Sequence, residues 1–143
     1  MNIKQISVFL ENKRGRLAEV TKLLASTNIN IRALSLAETA EFGILRLMVN
    51  DPHTCLQVLK SNNFVAQETD VIAVEVEDKP GGLYKVLDIL GQNEINIEYM
   101  YAFVEKKVDN AIVVFRIDDF QRAVDVLKNK GISVLSDNII KNL

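Results

Sequence analysis

The side chains best suited to catalysis are those of the only histidine and the only cysteine of the chain, His53 and Cys55. A thiol beside an imidazole can act as a nucleophile when the two side chains face each other. On the helix predicted for this segment they are two positions apart and point in different directions. The sequence therefore favours a histidine at a helix start and a small core thiol over a nucleophilic enzyme.

Other enzyme signatures are also missing from the 143 residues. One cysteine and one histidine cannot form a cluster with metal-ligand spacing. No glycine-rich loop ends in Gly-Lys-Ser/Thr, and no GxGxxG pattern is present. We therefore predict no catalytic residues, no metal and no cofactor, and a protein that is not an enzyme.

The most informative pattern is an internal repeat. The segment 11–17, ENKRGRL, returns 66 positions later as the segment 77–83, EDKPGGL, and nine of the 21 positions from 11 to 31 are identical at that offset. Unrelated sequence of ordinary composition gives about one or two identities. Beyond Ile31 the offset becomes 68, so one copy carries a two-residue insertion. A period of this length predicts two copies of one compact unit, at 1–70 and 71–143.

Each copy has a glycine, Gly15 or Gly81, between a predicted strand and the helix that follows it. Glycine permits a sharp turn, and the first N–H groups of a helix have no partner inside the helix. The helix dipole favours a carboxylate there by roughly 0.3–1 kcal/mol. This junction is therefore a candidate site for a small anionic group.

Polar side chains accompany both glycines. Asn12 and Asp78 lie in the loops, and Asn30 and Asn96 open the next predicted strand. Amide N–H groups suit a carboxylate and side-chain oxygens suit an ammonium, so the set fits a small zwitterion. The alternative is that glycine and asparagine only shape a turn, and the residues by themselves leave both readings open.

The order of the elements is the same in both copies. Residues 3–10 alternate like a half-buried strand, and the glycine is followed by apolar residues at helical spacing. Two strands, a helix capped by Asp51 or by Asp118 or Asp119, and a last short strand near Phe64 or Ile132 complete the unit. This predicts an α+β protein with two ferredoxin-like βαββαβ units, each an antiparallel sheet with its helices on one face.

The opposite sheet face is predicted to be apolar as well. If Leu45 faces the helices, then Ile44 and Met48 point away from them, as do Ile112 and Val114 in the second copy. A contiguous apolar face indicates a surface that the two copies, or two chains, cover for each other.

Composition excludes several partners. The net charge is −2 with dispersed basic residues, which argues against nucleic acid. An RNA-recognition module has this element order, but it needs stacking aromatics, and the counterpart of Phe9 is Glu75. No apolar run reaches the roughly 20 residues of a membrane span. The polar N-terminus and the single cysteine predict a cytoplasmic protein without membrane association.

The motif of a strand, Glu-Asn-x-x-Gly-x-Leu, a helix and then Asn-Ile resembles an ACT domain, especially that of the acetolactate synthase regulatory subunit. Residues 9–17, FLENKRGRL, and 30–37, NIRALSLA, carry the resemblance, which covers the whole chain as two units. It implies allosteric regulation of amino-acid metabolism through a free amino acid, bound where ACT units meet. It also implies pairing of the units, side by side, into a continuous eight-stranded sheet.

The resemblance implies a set of ligand-binding residues around each glycine loop and the following strand. They are Asn12, Lys13, Arg14, Gly15, Arg16, Leu17, Asn30 and Ile31 in the first copy, and Asp78, Pro80, Gly81, Gly82, Leu83, Asn96 and Ile97 in the second. The expected partners are an amino-acid effector and either a second copy of the chain or a metabolic enzyme. The alternative is a ligand-free interaction module, or a regulatory subunit that pairs with an enzyme.

The two loops differ, which predicts unequal binding. Arg14 and Arg16 of the first become Pro80 and Gly82 in the second, so the first should hold a carboxylate better. The Pro-Gly-Gly loop should permit closer backbone approach. Aromatic residues alternate on the second copy's strand, where they form either ordinary packing or a wall for a bulky apolar ligand: Tyr99, Tyr101 and Phe103.

Overall fold

The computed structural model describes residues 3–39, 41–104 and 110–143. The chain divides into two compact units, Lys4–Thr69 and Asp70–Leu143, with Ile3 grouped with the second. The elements are, in chain order, β1 (Ile3–Glu11), α1 (Arg16–Ser26), β2 (Ile31–Glu38), β3 (Phe42–Val49), α2 (Pro52–Ser61), β4 (Val65–Glu77), α3 (Gly82–Gln92), β5 (Ile97–Ala102), β6 (Asn110–Ile117), α4 (Phe120–Asn129) and α5 (Asp137–Lys141).

In the first unit β3 pairs antiparallel with β1 on one side and β2 on the other. One apolar cluster joins the sheet to both helices, which confirms that the helices share a face. Its members from the sheet include Ile6, Val8, Leu10, Leu45, Leu47 and Val49, and its members from the helices are Val20, Leu24, Cys55 and Leu59. The predicted direction of Ile6, Val8 and Leu10 is therefore confirmed, but the strand is not half-buried, because Gln5 and Ser7 on its other face are buried as well.

The second unit repeats this arrangement, with β6 paired antiparallel between β4 and β5. The register is also equivalent, since Leu10 pairs with Gly43 in the first unit and Val76 pairs with Ala111 in the second. The core again combines alternate strand residues with one stripe of each helix, including Ile72, Val74, Val76, Val86, Leu90, Val113, Phe115, Val124 and Leu127.

Helix starts and ends follow local sequence signals. Asp51 caps α2 by accepting a hydrogen bond from the Thr54 N–H at 3.2 Å, and Pro52 begins the helix. Asp119 accepts from the Arg122 N–H at 3.4 Å, so of the two aspartates proposed for α4 it is the cap.

The end of the second unit departs from the prediction. Instead of a strand near Ile132, the structure has a single antiparallel bridge between Val74 and Val134. The chain then forms α5, which Ser136 caps and Ile140 anchors in the interior. A five-residue helix is too short to show helical periodicity in the sequence, which is why α5 was not predicted.

The sheet face opposite the helices is covered around Met48, Ile112 and Val114, but not around Phe9 and Ile44, which are 40% exposed and half-buried, respectively. Met48 is 1% exposed, Ile112 is 7% exposed and Val114 is fully buried within this chain. The polar side chains of Gln5 and Ser7 are buried as well, and they hydrogen-bond to each other at 3.0 Å. Periodicity predicts the direction in which a side chain points. Whether that side chain is buried depends on residues distant in sequence.

None of the helices in the described ranges is both long and apolar enough to cross a membrane.

Candidate functional site

The two glycines that open α1 and α3 have nearly identical backbone geometry. Gly15 has φ 88° and ψ −13°, and Gly81 has φ 87° and ψ −8°. This left-handed conformation favours glycine. Among the described residues, no atom lies within 4 Å of a Cβ built at either position, so the conformation rather than lack of space requires glycine.

The loops also repeat their hydrogen bonds. The Lys13 N–H donates to the Glu11 carbonyl at 2.9 Å, and the Lys79 N–H donates to the Glu77 carbonyl at 3.0 Å. No side chain caps either helix at its N-terminus. The first N–H of each helix is used within the loop, since Arg16 donates to the Lys13 carbonyl at 3.3 Å and Gly82 donates to the Lys79 carbonyl at 3.0 Å. A bound carboxylate could therefore accept from the N–H groups that follow in the first turn.

Asn12 connects its loop to the β2–β3 hairpin. Its backbone N–H donates to the Glu41 carbonyl at 2.8 Å, and its side-chain Nδ2 donates to the Thr39 carbonyl at 3.3 Å. One donor of the amide is therefore already used within the unit. Asp78 at the equivalent position carries a carboxylate and is exposed.

Asn30 lies far from the glycine loop of its own unit. Its N–H donates to Asn50 Oδ1 at 2.9 Å, and the Asn50 N–H donates to the Asn30 carbonyl at 3.2 Å. Asn50 follows the end of β3, whereas Asn12 bonds to Glu41, the residue before its start, so roughly 30 Å of strand separates Glu41 from Asn50. Ile31 is beside Asn30 and pairs with Val49.

The second unit has the same separation. Glu77, beside the Gly81 loop, pairs with Asn110 at the start of β6, while Ile97 pairs with Ile117 at the end of that strand. Asn96 precedes Ile97 and is exposed. Within one unit, the structure therefore groups the loop residues but does not bring the strand-opening asparagine to them.

Arg16 packs on its own unit. Its guanidinium lies 4.8 Å from the centroid of the Phe64 ring, and Nη1 donates to Glu19 Oε2 at 2.7 Å. The Arg16 guanidinium, which the sequence predicted to bind the ligand, is therefore already engaged by Phe64 and Glu19. Phe64 is 48 positions away in sequence, and no sequence signal connected it with this loop.

The remaining cations of the first loop are at the surface. Lys13 pairs with Glu11 at 3.2 Å, and both side chains are more than half exposed. Arg14 is exposed. Exposed pairs of this kind contribute little to stability.

Gly82 has a structural role in the second loop. A Cβ at this position would lie 1.9 Å from the Glu77 carbonyl oxygen. The close approach that Gly82 permits is therefore between α3 and the end of β4, within the chain itself. Arg16 at the equivalent position carries a full side chain, so the two loops are not identical around this residue.

A cavity lies beside each loop. The one beside Gly15 measures about 60 Å³, and the one beside Gly81 measures about 410 Å³. The larger cavity has an apolar lining and three charged residues: Val76, Pro80, Leu83, Ala111 and Val113, with Glu77, Asp78 and Lys79. Tyr99, Tyr101 and Phe103 are not part of its described lining, so the aromatic wall proposed from the sequence is not found there.

Charge at the second loop is organised by an exposed ion pair. A hydrogen bond from Lys79 and the charge of that ammonium lower the pKa of Glu77, with a smaller effect of Lys85. The same hydrogen bond and carboxylate raise the pKa of Lys79. Glu77 and Lys79, 2.8 Å apart, therefore both remain charged at neutral pH.

The histidine and cysteine do not form a reactive pair. Burial raises the pKa of the Cys55 thiol to about 12, with a smaller contribution from the nearby charge of Asp51. Such a thiol is protonated at neutral pH and is a poor nucleophile, while His53 lies at the surface. Among the residues with described positions, no group of three or more His, Cys, Asp or Glu is placed to hold a metal ion.

Comparison with known proteins identifies the family. The complete chain, residues 1–143, matches the family described as ACT domain pair. The chain belongs to this ACT domain pair family. The resemblance inferred from the glycine loops is thereby confirmed, and the family is one of regulatory domains.

Solved structures similar to this ACT domain pair include protein BT0572 from Bacteroides thetaiotaomicron, with 44% sequence identity and a TM-score of 0.92 over 100% of this chain and 98% of that one. The regulatory subunits of aspartate kinase from Thermus thermophilus and Thermus flavus are each 16% identical. The first has a TM-score of 0.63 over 88% of this chain and 90% of that chain. The second has a TM-score of 0.60 over 90% and 92%. At 16% identity these two show a shared fold. No curated protein sequence matches the chain.

Proposed function

We propose that this ACT domain pair is a non-enzymatic, cytoplasmic sensor that binds a free amino acid and thereby controls amino-acid metabolism. The observation that carries the proposal is the repeated loop: each unit opens a helix at a left-handed glycine, without a side-chain cap and beside a cavity. Membership of a regulatory domain family supports it.

The chemistry of an amino acid matches the loop. Its carboxylate would accept N–H groups at the start of the helix, where the dipole also favours negative charge. Its ammonium would donate to side-chain oxygens such as those of Asp78. Its side chain would enter the cavity beside the loop.

The proposal extends to how ACT units assemble. We divide the chain into units 1–70 and 71–143 and expect ACT units to pair side by side into an eight-stranded sheet. Asn30 and Asn96, with Ile31 and Ile97, lie far from the loop of their own unit. They can contact the ligand only if they are supplied from another ACT unit, which is why we place the ligand where ACT units meet.

The test is thermal unfolding of the full chain with each of the twenty amino acids at millimolar concentration. A ligand at 100 times its dissociation constant adds about 2.7 kcal/mol to the free energy of unfolding. The D-enantiomer and the decarboxylated amine of any active amino acid are the controls, and both should have less effect. If no amino acid changes the unfolding temperature, the sensor proposal is wrong.

The second candidate is a ligand-free interaction module or a regulatory subunit that pairs with a metabolic enzyme. Exposed apolar side chains favour it, since Phe9, Phe42 and Val65 are 40–67% exposed and line one cavity of the first unit. In that case Phe42→Lys would weaken association of the chain with its partner enzyme, whereas Gly81→Val would leave it unchanged. Light scattering of the chain mixed with that enzyme measures both effects.

A further inference from the structure

We infer that the two glycine loops are not equivalent: only the loop at Gly81 holds an amino acid, and its cavity selects one with an apolar side chain. The inference rests on the proposed function and narrows it to one loop and one ligand class. The sequence had favoured the more cationic loop at Gly15.

Cavity size is the first argument. Small-molecule sites in proteins have volumes of roughly 300–1,000 Å³. The cavity beside Gly81, about 410 Å³, lies in that range. The cavity at the equivalent place beside Gly15, about 60 Å³, is too small to take the side chain of an amino acid together with its backbone. Arg16 also lines two larger cavities of the first unit, but their described linings combine it with Phe64 and contain none of the residues 12–15.

The size difference has an identifiable cause in two pairs of equivalent residues. Leu36 lines the small cavity, and its Cδ1 lies 3.3 Å from the position that a Cβ of Gly43 would occupy. The leucine thus fills space that the glycine leaves. In the second unit the equivalent positions are Ala102 and Ala111, and neither carries a side chain long enough to fill the cavity.

The strand register supports the equivalence of these pairs. Gly43 pairs with Leu10 as Ala111 pairs with Val76. Leu36 pairs with Leu45 as Ala102 pairs with Val113, so the two copies still correspond at an offset of 66 on β2 and at 68 on β3. The two units therefore have the same strand register and differ in the side chains at these equivalent positions.

The first helix residue also differs between the loops. The side chain of Arg16 lines the small cavity and is committed to Glu19 and Phe64. Gly82, its counterpart, has no side chain and lies against the Glu77 carbonyl. The second loop therefore lacks the side chain that Arg16 contributes to the small cavity, and the backbone of Glu77 approaches α3 there instead.

The lining defines the ligand class. Val76, Leu83 and Val113 give an apolar wall, which suits an aliphatic, thioether or aromatic side chain. Among the described residues the charged lining is net acidic, since Glu77 and Asp78 accompany one cation, Lys79. It therefore favours the ammonium of the ligand, and the start of α3 remains for the carboxylate.

Titration calorimetry on the full chain tests the inference, with leucine, isoleucine, valine, methionine and phenylalanine as probes and aspartate and lysine as polar comparisons. We expect at least one apolar amino acid to bind, with no more than one molecule per chain. Aspartate and lysine should bind at least about tenfold more weakly, because the apolar wall cannot satisfy a buried charge.

Two double variants exchange the cavity-filling pairs. Ala102→Leu with Ala111→Gly gives the second unit the pair of the first and should weaken binding at least about tenfold. Leu36→Ala with Gly43→Ala is the matched control in the first unit and should leave the affinity unchanged. Circular dichroism and thermal unfolding establish that both variants are folded.

Three results would overturn the inference while leaving the proposed function in place. These are two molecules bound per chain, loss of binding in the Leu36→Ala/Gly43→Ala variant, or tighter binding of aspartate or lysine than of every apolar probe. Binding of no amino acid to the unmodified chain would overturn the proposed function and this inference together.

Discussion

At the scale of single residues, environment decides which functional groups are available. Cys55 has the side chain with the greatest intrinsic nucleophilicity in the sequence, yet burial makes it a core residue of the first unit. Arg16 is one of two arginines in the first loop, yet its contacts with Glu19 and Phe64 commit it to packing. Residue type alone therefore overstates how reactive the thiol is and how much positive charge is available to a ligand.

The raised pKa of Cys55 has a consequence for stability against pH. The thiol titrates near 9 when unfolded and near 12 when folded, so above pH 9 the unfolded chain loses this proton first. The stabilising contribution is therefore complete below about pH 9 and is lost as the pH rises towards 12. We expect the free energy of unfolding to fall over this window more steeply in the unmodified chain than in Cys55→Ala.

Chemical denaturation at a series of pH values gives this comparison, because lysine and tyrosine titration is common to both proteins. Equal slopes in the two proteins would contradict the assignment of the raised pKa to Cys55.

At the scale of elements, most features follow from local sequence. The glycine turns, the aspartate caps and the apolar stripes of the helices are all visible in the sequence, and the structure has them where they were predicted. The bridge at Val134 and the helix α5 were not predicted, because each is too short for its pattern to be distinguished.

The junction of β4 and α3 gives a sharp test at this scale. Gly82→Ala places a Cβ against the Glu77 carbonyl, and we expect it to lower the free energy of unfolding by about 3 kcal/mol. Gly91→Ala is the matched control in the same helix, where no atom lies within 4 Å of the added Cβ. It should raise stability by about 0.5–1 kcal/mol, because alanine restricts the unfolded chain.

Urea denaturation of the two variants measures both effects. A Gly82→Ala protein as stable as the unmodified chain would show that the junction relaxes without cost.

At the scale of the whole molecule, a sensor needs two states that differ in affinity for the ligand. Pairing of ACT units between copies of the chain would supply such a pair of states, assembled and separate. If the amino acid binds where ACT units of two copies meet, it must stabilise the assembly, and assembly must raise the affinity for the amino acid by the same factor.

We therefore expect the apparent affinity for the amino acid to increase with chain concentration, and the average mass in sedimentation to increase when the amino acid is added. The variant Ala102→Leu/Ala111→Gly is the control and should show neither effect. An affinity independent of chain concentration, with an unchanged mass, would contradict a site completed by a second copy.

The sequence by itself determined the repeat, the direction of the strand residues, the helix caps and the two glycine turns. These depend on backbone geometry and on periodicities of two and 3.6 residues, which act between neighbours in the chain. The glycine-loop motif that resembles an ACT domain is also a pattern of residues close together in the chain, so the sequence shows it directly.

Only the tertiary structure decided how these parts combine. It placed Asn30 roughly 30 Å of strand away from the residue that bonds Asn12, and it buried Val114 on the second sheet face. It also gave the two loop cavities different volumes, and it placed Leu36 against Gly43 at the smaller one. Such properties depend on packing between residues distant in sequence, where the size of one side chain sets the space left for another.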